Sequence, residues 1–191
     1  EKTGKTGPFS TFVLQGYSKK RDELGLPYSG RFFSATKNTR RDEEAVKEWS
    51  SRCEEDLRQF WPRSEIPFGH MTHQRQPLAE HGYTHWWKMF NPLQLLVHTQ
   101  LLKCILSRKG YSETAKEAAL GAYQQHLRNQ NMFCIWDISR DCMAPMLSNN
   151  NFHPKATAVE NNVFHPLGRG NWESSSAGVV DGLTWAQKPD E

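Results

Sequence analysis

Apolar residues change their spacing along the chain, and each change marks an element. Phe9, Phe12, Val13, Leu14 and Tyr17 form a short β-favouring run that closes at Gly16 and a Lys-Lys-Arg cluster, which predicts a strand. A loop holding Gly25, Pro27 and Gly30 leads to a second short run, Arg31-Phe32-Phe33-Ser34-Ala35. Two short strands joined by a loop predict a small sheet. From Thr39 the spacing becomes helical. Thr39 can cap a helix reaching about Phe60, with Asp42, Glu43 and Glu44 where the helix dipole favours anions. Val46, Trp49, Cys53, Leu57 and Phe60 recur at threes and fours and predict one buried stripe. Glu43 and Lys47, Glu48 and Arg52, and Glu54 and Arg58 are i,i+4 pairs suited to the solvated face. Pro62 stops the helix.

The clearest helix start is Asn91 followed by Pro92, because proline at the first helical position gives up a hydrogen bond that is not made there. Leu93, Leu95, Leu96, Val97, Leu101, Leu102, Ile105 and Leu106 then cover most of the circumference. A helix apolar nearly all round belongs in the interior, so Pro92–Ser107 is the expected core helix, with Leu95, Leu96, Leu102 and Trp49 in the core. Lys109-Gly110 ends it. Ser112 caps a further helix to about Gln130, whose Ala115, Ala118, Ala119 and Ala122 permit close approach of a neighbour. Met132 to Trp136 fits a buried strand or a helix end. From Met146 onward Asn, Gly, Ser and Pro predict loop. Arg63 to Tyr83 is a long irregular stretch, and loops of such length are more often functional than filler. Thr84 can cap a short turn through His85-Trp86-Trp87. The expected fold is α+β: a mainly helical domain with a small N-terminal β-sheet packed on the helical core, and long irregular loops. It takes in residues 1–172, with 173–191 as a polar tail or linker.

Composition narrows the function classes. The 191 residues carry 24 basic and 21 acidic side chains, a net +3, too little charge for an intrinsically disordered chain. No apolar run approaches the ~18–20 residues that span a bilayer, so no membrane partner is expected. No secretion signal opens the chain, and four scattered cysteines without a CxxC pair form neither a disulfide framework nor a zinc ribbon. A cytoplasmic location is expected. The charge is uneven: residues 1–110 have an excess of six positive charges and residues 111–191 an excess of three negative ones. A basic first half suits a polyanion partner without requiring one. The chain starts at Glu1 and ends on Lys-Pro-Asp-Glu, and is expected to be a piece of something longer.

The candidate chemistry concentrates between residues 63 and 88. His70 and His73, and His81 and His85, have permissive spacing for a metal, but Gly82 interrupts the second pair and Glu80 is the sole companion carboxylate. No metal is expected. His81-Gly82-Tyr83-Thr84-His85-Trp86-Trp87 lies beside the basic stretch Met71 to Gln76. Aromatics interleaved with cations can stack bases and contact phosphates, so Arg63, His73, Arg75, His81, His85, Trp86 and Lys88 are the candidate DNA-binding residues. Equally, Trp86, Trp87 and Phe90 can staple the long loop to the core helix. No nucleophile elbow, phosphate-binding loop or Asp-Pro-Pro-Tyr tetrapeptide occurs. No catalytic residue and no cofactor-binding residue is assigned.

Gly82, Tyr83, Trp86, Phe90, Pro92, Gln94 and Leu95, leading into an apolar helix, resemble the central region of the large adenine-specific DNA methylases that carry an N-terminal domain of unknown function and a zinc ribbon. Leu93 stands where that family usually has Arg. The opening Phe-Val-Leu-Gln-Gly-Tyr, Arg31 to Thr36 with the acidic helix after it, Asn131 to Trp136, Glu160-Asn161 and Gly168-x-Gly-Asn-Trp172 are similar to further stations of the family. Val163-Phe164 departs where Pro is usual. The resemblance covers about Phe9 to Trp172 and lacks the cofactor loop and catalytic tetrapeptide. It implies an insertion domain, a fragment of an S-adenosylmethionine-dependent DNA adenine N6-methyltransferase that contributes DNA binding or scaffolding and is inactive alone. S-adenosylmethionine belongs to the full-length parent, and the expected partners are DNA and the parent's remaining methyltransferase domains. The other reading is a free-standing helical protein-interaction module without a nucleic-acid role.

Overall fold

The computed structural model describes residues 13–25, 30–36, 39–69, 78–137, 139, 142–146, 159–164 and 170–187. They form a mainly helical α+β fold. Strands β1 (Val13–Tyr17) and β2 (Arg31–Ala35) pair antiparallel with Val13 opposite Ala35 and Tyr17 opposite Arg31. The five-residue helix α1 (Lys19–Glu23) lies in their connection. The Phe32 ring covers Gly16, where an added Cβ would come within 2.4 Å of its Cζ. The Tyr17 hydroxyl donates to Asp22 at 2.9 Å. The predicted packing of this sheet on the helical core is corrected: Gly16 and Arg31 are half-buried and the other strand residues are exposed.

Helix α2 (Thr39–Arg52) starts at Thr39 itself rather than after it and ends eight residues before Phe60. Residues 53–59 continue as turns, tied by Cys53 N–H to the Trp49 carbonyl and Leu57 N–H to the Arg52 carbonyl. Trp49 and Leu57 of the predicted stripe pack on one cluster, with Ala45 in place of Val46. Ala45 and Leu57 are buried against Leu96, while Val46 is half-exposed. Arg52 anchors this corner, bonding Glu48 at 2.9 Å and Asp56 at 2.8 Å, and Lys103 reaches the same Asp56 carboxylate at 2.9 Å. Those two cations hold the Asp56 carboxyl well below the usual carboxylate range.

Helix α3 (Pro92–Ser107) has the predicted start in full. The Asn91 side chain accepts from Gln94 N–H, the Gln94 side chain accepts from Asn91 N–H, and Pro92 opens the helix. Its buried residues are Gln94, Leu95, Leu96, His98 and Thr99, all in the first half. Leu102 and Trp49, expected in the core, are half-buried, and Cys104 and Leu106 are exposed. Thus α3 is a core helix only over its first two turns.

Helix α4 (Glu113–Arg128) is capped by Ser112, as predicted, and buries Ala122, Tyr123 and His126. Its last carbonyls are taken by Asn131, whose Nδ2 donates to Leu127 and Arg128. Met132, Phe133 and Cys134 follow as a fully buried turn. Strands β3 (Ile135–Asp137) and β4 (Cys142–Ala144) form a second antiparallel pair. Residues 173–191, expected as a polar tail or linker, contain instead most of helix α5 (Trp172–Ala186), which packs along α4. Asn171 supplies its cap, accepting from Ser174 N–H at 2.7 Å. The cap and the packing on α4 support the helix despite its Gly and Ser content.

Candidate nucleic-acid interface

The aromatic segment is held by short turns rather than regular strands. Residues 64–66 run antiparallel to residues 84–86, with Glu65 bridged to His85, Ile66 N–H donating to Thr84 at 2.9 Å and Trp86 N–H to Ser64 at 3.3 Å. One 3₁₀ turn precedes this bridge (Leu78–His81) and another follows it (Trp86–Met89). The second turn begins after His85, not after Thr84. Thr84 instead spends its hydroxyl on His85 Nδ1 at 2.9 Å.

The bridge divides the paired tryptophans. Trp86 packs on a buried cluster of Leu78, Tyr83, Met89 and Phe133, together with Ile66, Phe90 and Met146. Within that cluster Tyr83 meets Phe133 edge-on, 4.9 Å between ring centres. Trp86 thus ties the loop to Phe133 and Met146 rather than to the helix Pro92–Ser107, where the staple was expected. Trp87 turns the other way and meets Trp61 edge-on at 6.1 Å, and Trp61 meets Trp49 edge-on at 5.5 Å. Trp61 is fixed by its indole N–H, which donates to the Cys53 carbonyl at 2.9 Å.

Two of the candidate cations flank this row. The Arg63 guanidinium lies 4.2 Å from the Trp61 ring centre, and the Lys88 amine 5.8 Å from that of Trp87. Arg63 also donates to both carboxylate oxygens of Glu54 at 2.9 Å. A guanidinium already stacked and ion-paired offers less to a phosphate than the sequence implied. Lys88 has no acidic partner among the described residues. His81 ends the first 3₁₀ turn, half-buried, and His85 is half-buried at the bridge. His73 and Arg75, and with them His70, lie outside the described residues.

The structure thus brings Arg63, His85, Trp86 and Lys88 into one neighbourhood, built around a bridge between segments twenty residues apart. Sequence reasoning missed Trp61 and Trp87 as the aromatic partners of the cations. The signal was available in part: each cation lies within two residues of its tryptophan. Among the described residues no group of three or more His, Cys, Asp or Glu side chains is placed to hold a metal ion. A cavity of about 200 Å³ opens beside the bridge, lined by Glu65, Ile66, Leu78, Ala79, Tyr83 and Thr84.

The other segments that carry the resemblance are tied to one another by hydrogen bonds around the ends of α3 and α4. Asn91 Nδ2 donates to the Glu160 carboxylate at 2.7 Å, and Arg41 reaches the same group at 3.4 Å. Burial pushes the Glu160 carboxyl upward, against the pull of Arg41 and Asn91. Met132 N–H donates to the Met89 carbonyl, Val159 N–H to that of Cys134, and Trp172 N–H to that of Val163. Gln130 Nε2 donates to the Gly170 carbonyl at 2.9 Å. Comparison with protein-family models, with curated proteins and with solved structures gives no match to this chain.

Proposed function

We propose that this chain is a scaffold segment of an adenine-specific DNA methyltransferase, holding and orienting the catalytic parts of a longer parent while touching DNA weakly itself. The observation that supports this reading is where the resemblance residues sit. Tyr83, Trp86, Phe90, Gln94, Asn131, Glu160, Gly170 and Trp172 are scattered over ninety residues, yet they bond or pack at the ends of α3 and α4, Gln94 and Glu160 through Asn91. Motifs of that kind make a frame. The sequence holds no Asp-Pro-Pro-Tyr tetrapeptide and no cofactor loop, so the isolated chain is expected to be inactive, with S-adenosylmethionine a ligand of the parent's other half. No helix among the described residues is long and apolar enough to cross a membrane.

Any DNA contact made by the frame falls on the face around Trp87 and Lys88 and on the basic stretch that includes Arg75. Fluorescence anisotropy with duplex and single-stranded DNA at low salt tests it. The expected affinity is ~10⁻⁴–10⁻⁶ M, falling with salt at a slope near −0.9 per neutralised phosphate. The double variant Arg75→Ala and Lys88→Ala should flatten that slope by about two units. Arg63→Ala should change it less, because Glu54 already holds the guanidinium. A folded protein that binds neither form of DNA would transfer the reading to the protein-interaction module. That second reading has its own observation: Val180, Leu183 and Trp185 of α5 are exposed, Trp185 by 75 %.

A further inference from the structure

Helices α3, α4 and α5 meet over side chains that are polar and almost wholly buried: Gln94 and His98 from α3, His126 from α4, Gln130 after it, and Asn171 before α5. The two imidazoles stand edge to face, 5.2 Å between ring centres, and His126 meets the Trp172 ring in the same way at 5.9 Å. Phe90 closes the row against His98 at 5.4 Å. Around these rings the described residues supply Tyr123, which donates its hydroxyl to the His98 carbonyl, and no charged group forms an ion pair with either imidazole.

The hydrogen-bond inventory at this junction does not close. His98 Nε2 lies 2.8 Å from the Gln130 carbonyl. A carbonyl only accepts, so Nε2 carries the proton and His98 Nδ1, in the neutral ring, is an acceptor. It has no donor. One turn earlier, Gln94 Nε2 is a donor without an acceptor. Gln130 Oε1 is an acceptor without a donor, and neither nitrogen of His126 completes a hydrogen bond, although the Gly170 carbonyl stands near enough to favour its charged form. Buried polar groups are paired with protein or with ordered water in the great majority of cases, and leaving one unpaired costs roughly 1–3 kcal/mol. A native fold carries a few such groups per 100 residues, and here five are gathered on four side chains of one junction.

A water molecule gives two protons and accepts two, which matches an inventory of donors and acceptors that cannot reach one another. A cavity of about 50 Å³ reaches the junction at His98, with Thr99 and Tyr123 as its other polar residues between the apolar walls of Phe60, Phe90 and Leu95; Gln94, His126 and Gln130 do not line it, and one water needs roughly 10–15 Å³ of such volume. We infer that the α3–α4–α5 junction is an internal water-binding site, in which one or two waters link Gln94, His98, His126 and Gln130. A divalent cation fits the same atoms poorly, since no carboxylate or thiolate there would balance its charge. The water closes the seam that seats α5, because Gln130, Gly170 and Trp172 belong to the same cluster. This inference does not depend on the methyltransferase reading.

Two measurements on the full chain decide it. Nuclear Overhauser and rotating-frame experiments on protein labelled at the histidine nitrogens should show cross-peaks between bulk-resonance water and the His98 and His126 ring protons, of the sign that marks long residence. Ring N–H protons that are visible, slow to exchange and without such cross-peaks overturn the site. The second is H126F, which keeps the ring contacts to His98 and Trp172 and removes both nitrogens. A hydrated junction loses water-mediated bonds, so the thermal midpoint falls. A dry junction sheds two orphaned polar atoms, so a midpoint unchanged or raised overturns the proposal. Should H126F fail to fold, the spectra of the native chain stand alone.

Discussion

The N-terminal hairpin and the α3–α4–α5 unit treat their side chains in opposite ways. The hairpin is rich in residues that normally make a core, yet Phe33 is 57 % exposed and Val13, Leu14 and Phe32 are exposed as well. The helical unit encloses His126 and Asn171 completely, with His98, Gln130 and Thr99 nearly so. A two-stranded ribbon has two faces and no second layer, so it cannot bury an alternating pattern by itself. Three converging helix ends enclose whatever lies between them, and their own unpaired backbone groups call for polar side chains there. Position in the topology, more than residue type, sets burial in this molecule.

The sharpest way to break the comparison is to truncate one aromatic in each region. Phe133→Ala, from a wholly buried ring against Tyr83, should cost about 3–5 kcal/mol. Phe33→Ala should cost less than about 1 kcal/mol, since the ring is already largely in water. Urea denaturation followed by circular dichroism measures both, and equal losses would mean that the hairpin is covered in solution.

Acid tests the enclosed polar unit next. Burial lowers His98 to about 3, helped by the neighbouring His126, and lowers His126 to about 4. Both stay uncharged in the fold while the unfolded chain takes up protons from about pH 6.5 downward. Their contribution is therefore fully present above about pH 6.5 and is lost as the pH falls towards 4 and then 3. In that window each histidine steepens the loss by about 1.4 kcal/mol per pH unit. Glu160 opposes them, since a carboxyl raised by burial favours the fold as it becomes protonated near its unfolded value. H126F should flatten the measured slope of stability between pH 6 and 4 by one proton; an unchanged slope would remove His126 from the buried set.

A smaller effect separates two glycines. Gly170 has φ +80°, and a Cβ there would meet Asn129 Cβ at 2.3 Å. Gly170→Ala should destabilise by about 1–3 kcal/mol. Gly178, within α5, has open space at its Cβ position, and Gly178→Ala should stabilise by about 0.5–1 kcal/mol. Thermal midpoints of opposite sign are expected; a destabilised Gly178→Ala would mean that another surface lies against α5. The cap at Asn91 comes last in this series. Asn91→Ala should cost about 0.5–2 kcal/mol, with part of the loss from freeing Glu160. A charge-retaining change at Glu160 to Asp separates the two contributions, because it leaves the cap intact.

Local signals were legible wherever the physics is local. Asn91-Pro92 and Ser112 each act within four residues of themselves, and α3 and α4 begin as they predict; strands Val13–Tyr17 and Arg31–Ala35 lie within the predicted β-favouring runs, and α2 begins at Thr39 itself rather than after it. Helix α5 escaped because its Ser and Gly content argues for loop, while its Asn171 cap and its contact with α4 argue for helix. The stripe of α2 was misjudged at Val46 for a related reason. Periodicity tells which residues share a face, and Ala45 with Trp49 satisfies the helical spacing as well as Val46 with Trp49 does; contact with Leu96 selected Ala45.

What the sequence alone determined about this protein is its class, the starts of α3 and α4, its lack of a nucleophile motif and the clustering of cations with aromatics between residues 61 and 88. Only the tertiary structure decided that Trp86 turns inward while Trp87 and Trp61 form a row beside Lys88 and Arg63. Only there do Gln94, His98, His126 and Gln130, spread over 37 positions, meet in one seam. The physical reason is range. Capping and strand propensity are settled within a turn or two of chain, whereas the desolvation of an imidazole or the stacking of a cation depends on which distant segment covers it.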